Sequence, residues 1–109
     1  MNIDKCYIRT DLKWLINVEC EGFDMDEDDF DVELRCGAQC YKCKDSEVVK
    51  EGDDWYLCVD TTKFKPGLLQ MVFMAYVPDD AFEDGTRTEV GVLNLCQLRE
   101  IPTNKNIML

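Results

Sequence analysis

Four stretches of this chain alternate apolar and polar residues with period two, which restricts it to half-buried β-strands. Trp14, Ile16, Val18 and Cys20 form one apolar row, and Phe30, Val32, Leu34 and Cys36 a second. Trp55, Leu57 and Val59 form a third, and Leu69, Met71, Phe73, Ala75 and Val77 a fourth. Successive strand side chains point to opposite faces, so each row is one buried face. A helical reading fails, because the 3.6-residue apolar period is missing and β-branched and aromatic residues crowd the apolar positions. Phe73, Met71 and Trp14 are expected in the shared core.

Turn signals divide the rows at intervals typical of an all-β sandwich or barrel. The expected strands lie near Cys6–Arg9, Leu12–Cys20, Asp29–Cys36, Trp55–Val59 and Leu68–Val77, with weak candidates at Tyr41–Lys44 and Glu47–Val49. A last strand is expected somewhere in Thr86–Leu98. Pro78 stops the fourth row, because it has no N–H to give a ladder. The segment Asp79 to Gly85 is expected to be a compact loop in which Gly85 takes a positive φ and Phe82 folds back as an anchor. A solvated Phe82 would instead mark a partner contact. Residues 1–100 are read as one antiparallel β-sandwich of about seven strands, and 101–109 as a tail. The tail ends on the apolar run Ile107-Met108-Leu109, with Ile107 and Leu109 as candidate contacts to this domain, to a partner or to a following segment.

The 109 residues suffice for a single core. Acids outnumber bases 23 to 12, a net charge of −11, which argues against nucleic acid and anionic membrane surfaces as partners. Histidine is absent, removing the commonest general base and metal ligand. No stretch approaches the roughly 20 apolar residues of a membrane span, and the N-terminus lacks a signal-peptide core. The expected place of synthesis is therefore the cytoplasm. An odd count of seven cysteines forbids complete internal pairing. The expectation is seven reduced thiols without metal.

Three arrangements invite chemistry. Cys36, Cys40 and Cys43 have the C-x3-C-x2-C spacing of a radical iron–sulfur site, but a chain this short without βα alternation cannot build the barrel such enzymes need. As a zinc site the trio would require Cys20, Cys58 or Cys96 as fourth ligand. Asp24, Asp26 and Asp28 imitate the start of an EF-hand loop, yet Asp29 and Arg35 stand where glycine and glutamate are required. A looser calcium site joined by Asp79, Asp80 or Asp84 stays open, against solvated turn aspartates bonding their own backbone. Paired carboxylates for catalysis would need an apolar cleft, and these acids sit in like-charge clusters on loops. No catalytic residue and no cofactor is assigned, and the expectation is that the chain is not an enzyme.

Asp60-Thr61-Thr62-Lys63-Phe64-Lys65-Pro66-Gly67-Leu68-Leu69, followed by Val77-Pro78-Asp79-Asp80-Ala81-Phe82-Glu83-Asp84-Gly85-Thr86-Arg87-Thr88-Glu89, resembles small immunoglobulin-like domains of phage and prophage structural proteins from gut bacteria. These are of the tail-fibre, head-fibre and upper-baseplate kind, and the acidic lead into Phe30-Asp31-Val32-Glu33-Leu34 fits the same pattern. The resemblance covers Asp24 to Glu89. It implies an immunoglobulin-like attachment or adaptor domain in a virion, with copies of itself or other virion proteins as partners. The competing expectation is a cytosolic binding domain that holds calcium or a small polar ligand on its acidic loops.

Overall fold

A computed structural model describes residues 5–101, without the side chain of Lys5. It contains eight strands: β1 Lys5–Tyr7, β2 Asp11–Ile16, β3 Phe30–Cys36, β4 Gln39–Lys42, β5 Val48–Glu51, β6 Asp54–Asp60, β7 Gly67–Pro78 and β8 Thr86–Arg99. Two sheets face each other, one in the order β1-β8-β7-β3-β4 and the other β2-β6-β5. This is the strand order of an immunoglobulin-type sandwich. The eight strands agree with the expected count of about seven. One detail departs from the antiparallel expectation: β1 runs parallel to β8, with Cys6 opposite Leu98.

The apolar rows meet in one core. Val32, Leu34 and Cys36 of β3 sit beside Phe73, Met71 and Leu69 of β7 in the antiparallel register. Opposite them, Leu12, Trp14 and Ile16 of β2 pair with Val59, Leu57 and Trp55 of β6. Leu34, Leu57 and Leu69 are fully buried, Met71 and Phe73 nearly so, and Trp14 packs against the cluster half-buried. An aromatic group closes one end: Phe73 stacks on Phe30 at 5.2 Å between centroids, and Phe30 meets Trp55 edge-on at 5.7 Å. Phe23, from the acidic loop, reaches Phe73 at 5.9 Å.

The first apolar row outlasts its strand. Burial alternates through Val18 to Cys20, but pairing stops at Ile16 opposite Trp55. The partner runs out there, because β6 begins at Asp54 after the turn in which Gly52 takes φ +63°. The turn joining β1 to β2 is pinned by Thr61, the one buried polar side chain among the described residues. Its hydroxyl accepts from the Thr10 N–H at 3.0 Å and lies 2.7 Å from the Thr10 carbonyl.

The cysteine expectation is corrected. Cys6 of β1 and Cys96 of β8 form a disulfide, leaving Cys20, Cys36, Cys40, Cys43 and Cys58 free. An odd count forbids complete pairing but not one pair, and ladder geometry creates this one. Register shifts between Leu69 and Gln70, whose partners are Cys96 and Asn94, so Leu95 is an extra residue in β8. This bulge puts Leu95 and Cys96 both inside, at 2% and 1% exposure. Cys96 then lies on the same side as Cys6, with Cα atoms 6.1 Å apart. Denatured, unreduced protein should therefore titrate five thiols, and a value of seven would exclude the bridge.

Candidate interaction surface

In its sheet, β8 is flanked by β7 on one side and by β1 on the other. β1 covers only Gln97 to Arg99. Among the described residues, the outer edge of β8 from Thr86 to Asn94 has no partner strand. An unpaired edge presents a row of N–H and C=O groups ready to accept another strand.

The side chains along this edge are exposed although many are apolar. Val90 is 59% exposed, Val92 60% and Leu93 47%. Cross-strand register assigns their faces. Leu93, Gly91, Glu89 and Arg87 lie opposite Met71, Phe73, Ala75 and Val77, on the inner face; Val92 and Val90 lie opposite Val72 and Met74, on the outer face. Val72 is buried at 3% on that outer face, between its ladder partners Glu33 and Val92. Val72, Met74, Val90 and Val92 thus form an apolar strip outside the core. On the inner side, a cleft of about 340 Å³ opens between residues 17–20 and β8. Its floor is Met71, Phe73 and Ala75, and a Cβ added at Gly91 would meet nothing.

Arg87 anchors the start of the edge. Its guanidinium pairs with Asp79 and with Glu89 at 2.9 Å, and donates to the Glu21 carbonyl at 3.0 Å. These bonds tie the loop after β7 and the segment after β2 to the head of β8. Gly85 takes φ +76°, as the turn requires. Phe82 departs from expectation: it does not fold back as an anchor but stands 48% exposed on the loop. Only its backbone is held, its N–H donating to the Asp79 carbonyl at 3.3 Å and its carbonyl accepting from Gly85 at 2.9 Å. Ile107 and Leu109 lie outside the described residues.

The metal candidates are not brought together; no group of three or more His, Cys, Asp or Glu suited to an ion occurs among the described residues. Asp24 accepts from the Asp26 N–H at 2.9 Å, and Asp28 from the Asp24 N–H at 2.9 Å. Asp26 faces elsewhere, to Lys50 at 2.7 Å and the Trp55 indole at 3.1 Å. The loop is a self-bonded acidic turn pinned to β5 and β6. Millimolar calcium or EDTA should therefore leave the melting temperature within about a degree, whereas a chelator-sensitive transition would restore a cation site. The thiols also diverge. Cys36 is buried, its Sγ donating to the Lys65 carbonyl at 3.3 Å, and Cys40 is exposed. Burial pushes the Cys43 thiol up to about 12, with Glu47 adding to the rise. Cys36, Cys40 and Cys43 thus form no shared ligand group among the described residues.

Several carboxylates are held below their ordinary range. Lys50 and then Trp55 lower Asp26; the Thr62 hydroxyl and N–H lower Asp60; the Ala81 N–H and then Arg87 lower Asp79. For Glu47, burial pushes upward, but the Lys44 N–H, the Tyr41 hydroxyl and Lys63 outweigh it. A depressed carboxylate contributes stability above its unfolded value of about 4, and loses that contribution as pH falls through its folded value. Acidification from neutrality toward the isoelectric point near 4.3 acts the other way, relieving the self-repulsion of an acidic chain. Thermal stability should peak between about pH 4.5 and 6 and fall steeply below about pH 4. Stability that kept rising below pH 4 would contradict these assignments.

Compared with known protein families, curated proteins and solved structures, the chain matches none.

Proposed function

We propose that this domain is a non-enzymatic assembly module that joins protein partners through the free edge of β8, as an attachment or adaptor domain of a phage or prophage virion. The observation that carries the assembly reading is the edge itself. Along the nine residues Thr86 to Asn94 the outer edge of β8 has no partner strand among the described residues, and Val90, Val92 and Leu93 are exposed. Proteins normally blunt such edges with charge, proline or cover, and recognition by strand addition is the common use of one left open. The virion context rests on the resemblance over Asp24 to Glu89. The Cys6–Cys96 bridge supports it, because disulfides persist on virion surfaces and are rare in reducing cytosol.

The acidic loops support a scaffold better than a ligand site, since their carboxylates are spent on turn N–H groups, Lys50 and Arg87. The test is incorporation. Particles purified from producing cells should contain the chain at a fixed copy number by quantitative mass spectrometry. Recovery wholly outside the particles would sink the reading.

A further inference from the structure

We infer that the partner taken by the β8 edge is a second copy of this chain, paired antiparallel about a two-fold axis at Val90. This inference rests on the assembly reading and names its partner. It starts from charge. The whole chain carries −11, yet the open segment from Thr86 to Asn94 holds one arginine and one glutamate and is locally neutral. Arg87 and Glu89 already pair with each other at 2.9 Å. The segment itself therefore adds no net charge to the repulsion between two acidic chains, although Asp79 and Glu19 lie beside it.

The sequence of the edge is also self-complementary. Val90 is the midpoint of Thr86–Asn94, and antiparallel pairing about it sets Val90 against itself, Thr88 against Val92 and Thr86 against Asn94 on the outer face. On the inner face, Glu89 meets Gly91 and Arg87 meets Leu93. No like charges stand directly opposite each other, the apolar Val90 pair falls at the centre and the polar Thr86–Asn94 pairs at the ends. A two-fold interface requires this property, since each copy presents the same patch. The valines at 59% and 60% exposure in each copy would then form one apolar strip across the joined sheets. β1 stops the ladder at Gln97, fixing the length of the interface. Nine residues a side make a small contact beside standard interfaces of roughly 1,200 Å² or more, so the dimer is weak, with a dissociation constant of about 10⁻⁵ to 10⁻⁴ M.

Sedimentation equilibrium on the oxidised chain, with free thiols alkylated so that Cys40 cannot cross-link, tests this between about 5 and 500 µM. The mass should rise from 12.7 kDa toward twice that value. Val90→Lys and Val90→Glu each set like charges face to face across the axis, and each alone should stay monomeric throughout. An equimolar mixture should regain the dimer, because opposite charges then face each other. A wild-type chain monomeric at the highest concentration overturns the inference, as do single variants that dimerise like wild type or a mixture no better than its parts. Amide exchange of the wild type provides a second measurement independent of the variants: protection should grow with concentration at 86–94 and not at β4. Failure of these tests leaves particle incorporation untouched, so the two readings fall separately.

Discussion

Phe73→Ala should destabilise the fold by about 3–5 kcal/mol, a large share of the total for a domain this size. Phe73 is 6% exposed and touches two other rings, Phe30 stacked at 5.2 Å and Phe23 edge-on at 5.9 Å. Truncation removes both aromatic contacts and opens a cavity. The size of the loss depends on how far the surroundings collapse into that cavity. Here collapse is restricted on one side, because the β8 residue opposite is Gly91, with no side chain to move in. The melting temperature should fall by about 10–20 °C. Phe82→Ala is the matched control: its ring is 48% exposed on a loop, and the change should stay within about 0.5 kcal/mol. A Phe73 variant melting within a couple of degrees of wild type would contradict the face assignment of β7.

Loss of the Cys6–Cys96 bridge should cost a comparable amount. It joins residues 90 apart in sequence, and closing so long a loop removes about 4–5 kcal/mol of unfolded-chain entropy in the loop-closure account, with measured losses usually about 2–5 kcal/mol. The double variant Cys6→Ala with Cys96→Ala is the suitable test, because Cys96 is 1% exposed and serine would bury a hydroxyl there. Its melting temperature should fall by about 10–20 °C relative to the oxidised protein. Reductant should bring wild type close to the same value. Equal melting of oxidised and reduced wild type would show that the bridge contributes no stability.

Alternation made β3, β6 and β7 legible, because each keeps one apolar phase from end to end. β8 was not legible to the same degree, and the reason is physical. Its apolar residues change phase: Val90 and Val92 face outward, Leu93 inward, and the bulge at Leu95 carries Cys96 and Leu98 into the core. A period-two test finds no single face in such a strand. β2 shows the opposite limit, since burial alternates to Cys20 while pairing ends at Ile16. Side-chain pattern reports orientation, and pairing depends on how far the partner strand extends. The disulfide was hidden for a related reason: parity excludes full pairing, whereas proximity of Cys6 to Cys96 depends on a parallel ladder between distant segments. The exposed edge leaves no local mark at all, because its openness follows from β1 covering only Gln97 to Arg99.

The pairing of β1 with β8 also sets the order of events on the ribosome. Cys6 emerges early, and its partner lies 90 residues later. At about 5–20 residues per second, translation leaves β1 without its sheet for roughly 5–20 seconds. During that interval Cys20, Cys36, Cys40, Cys43 and Cys58 are all synthesised before Cys96. The nascent chain thus passes five wrong thiols before the right one exists. Synthesis in a reducing compartment, with oxidation after release, avoids that hazard, because the folded sheet then holds Cys6 beside Cys96, with Cα atoms 6.1 Å apart.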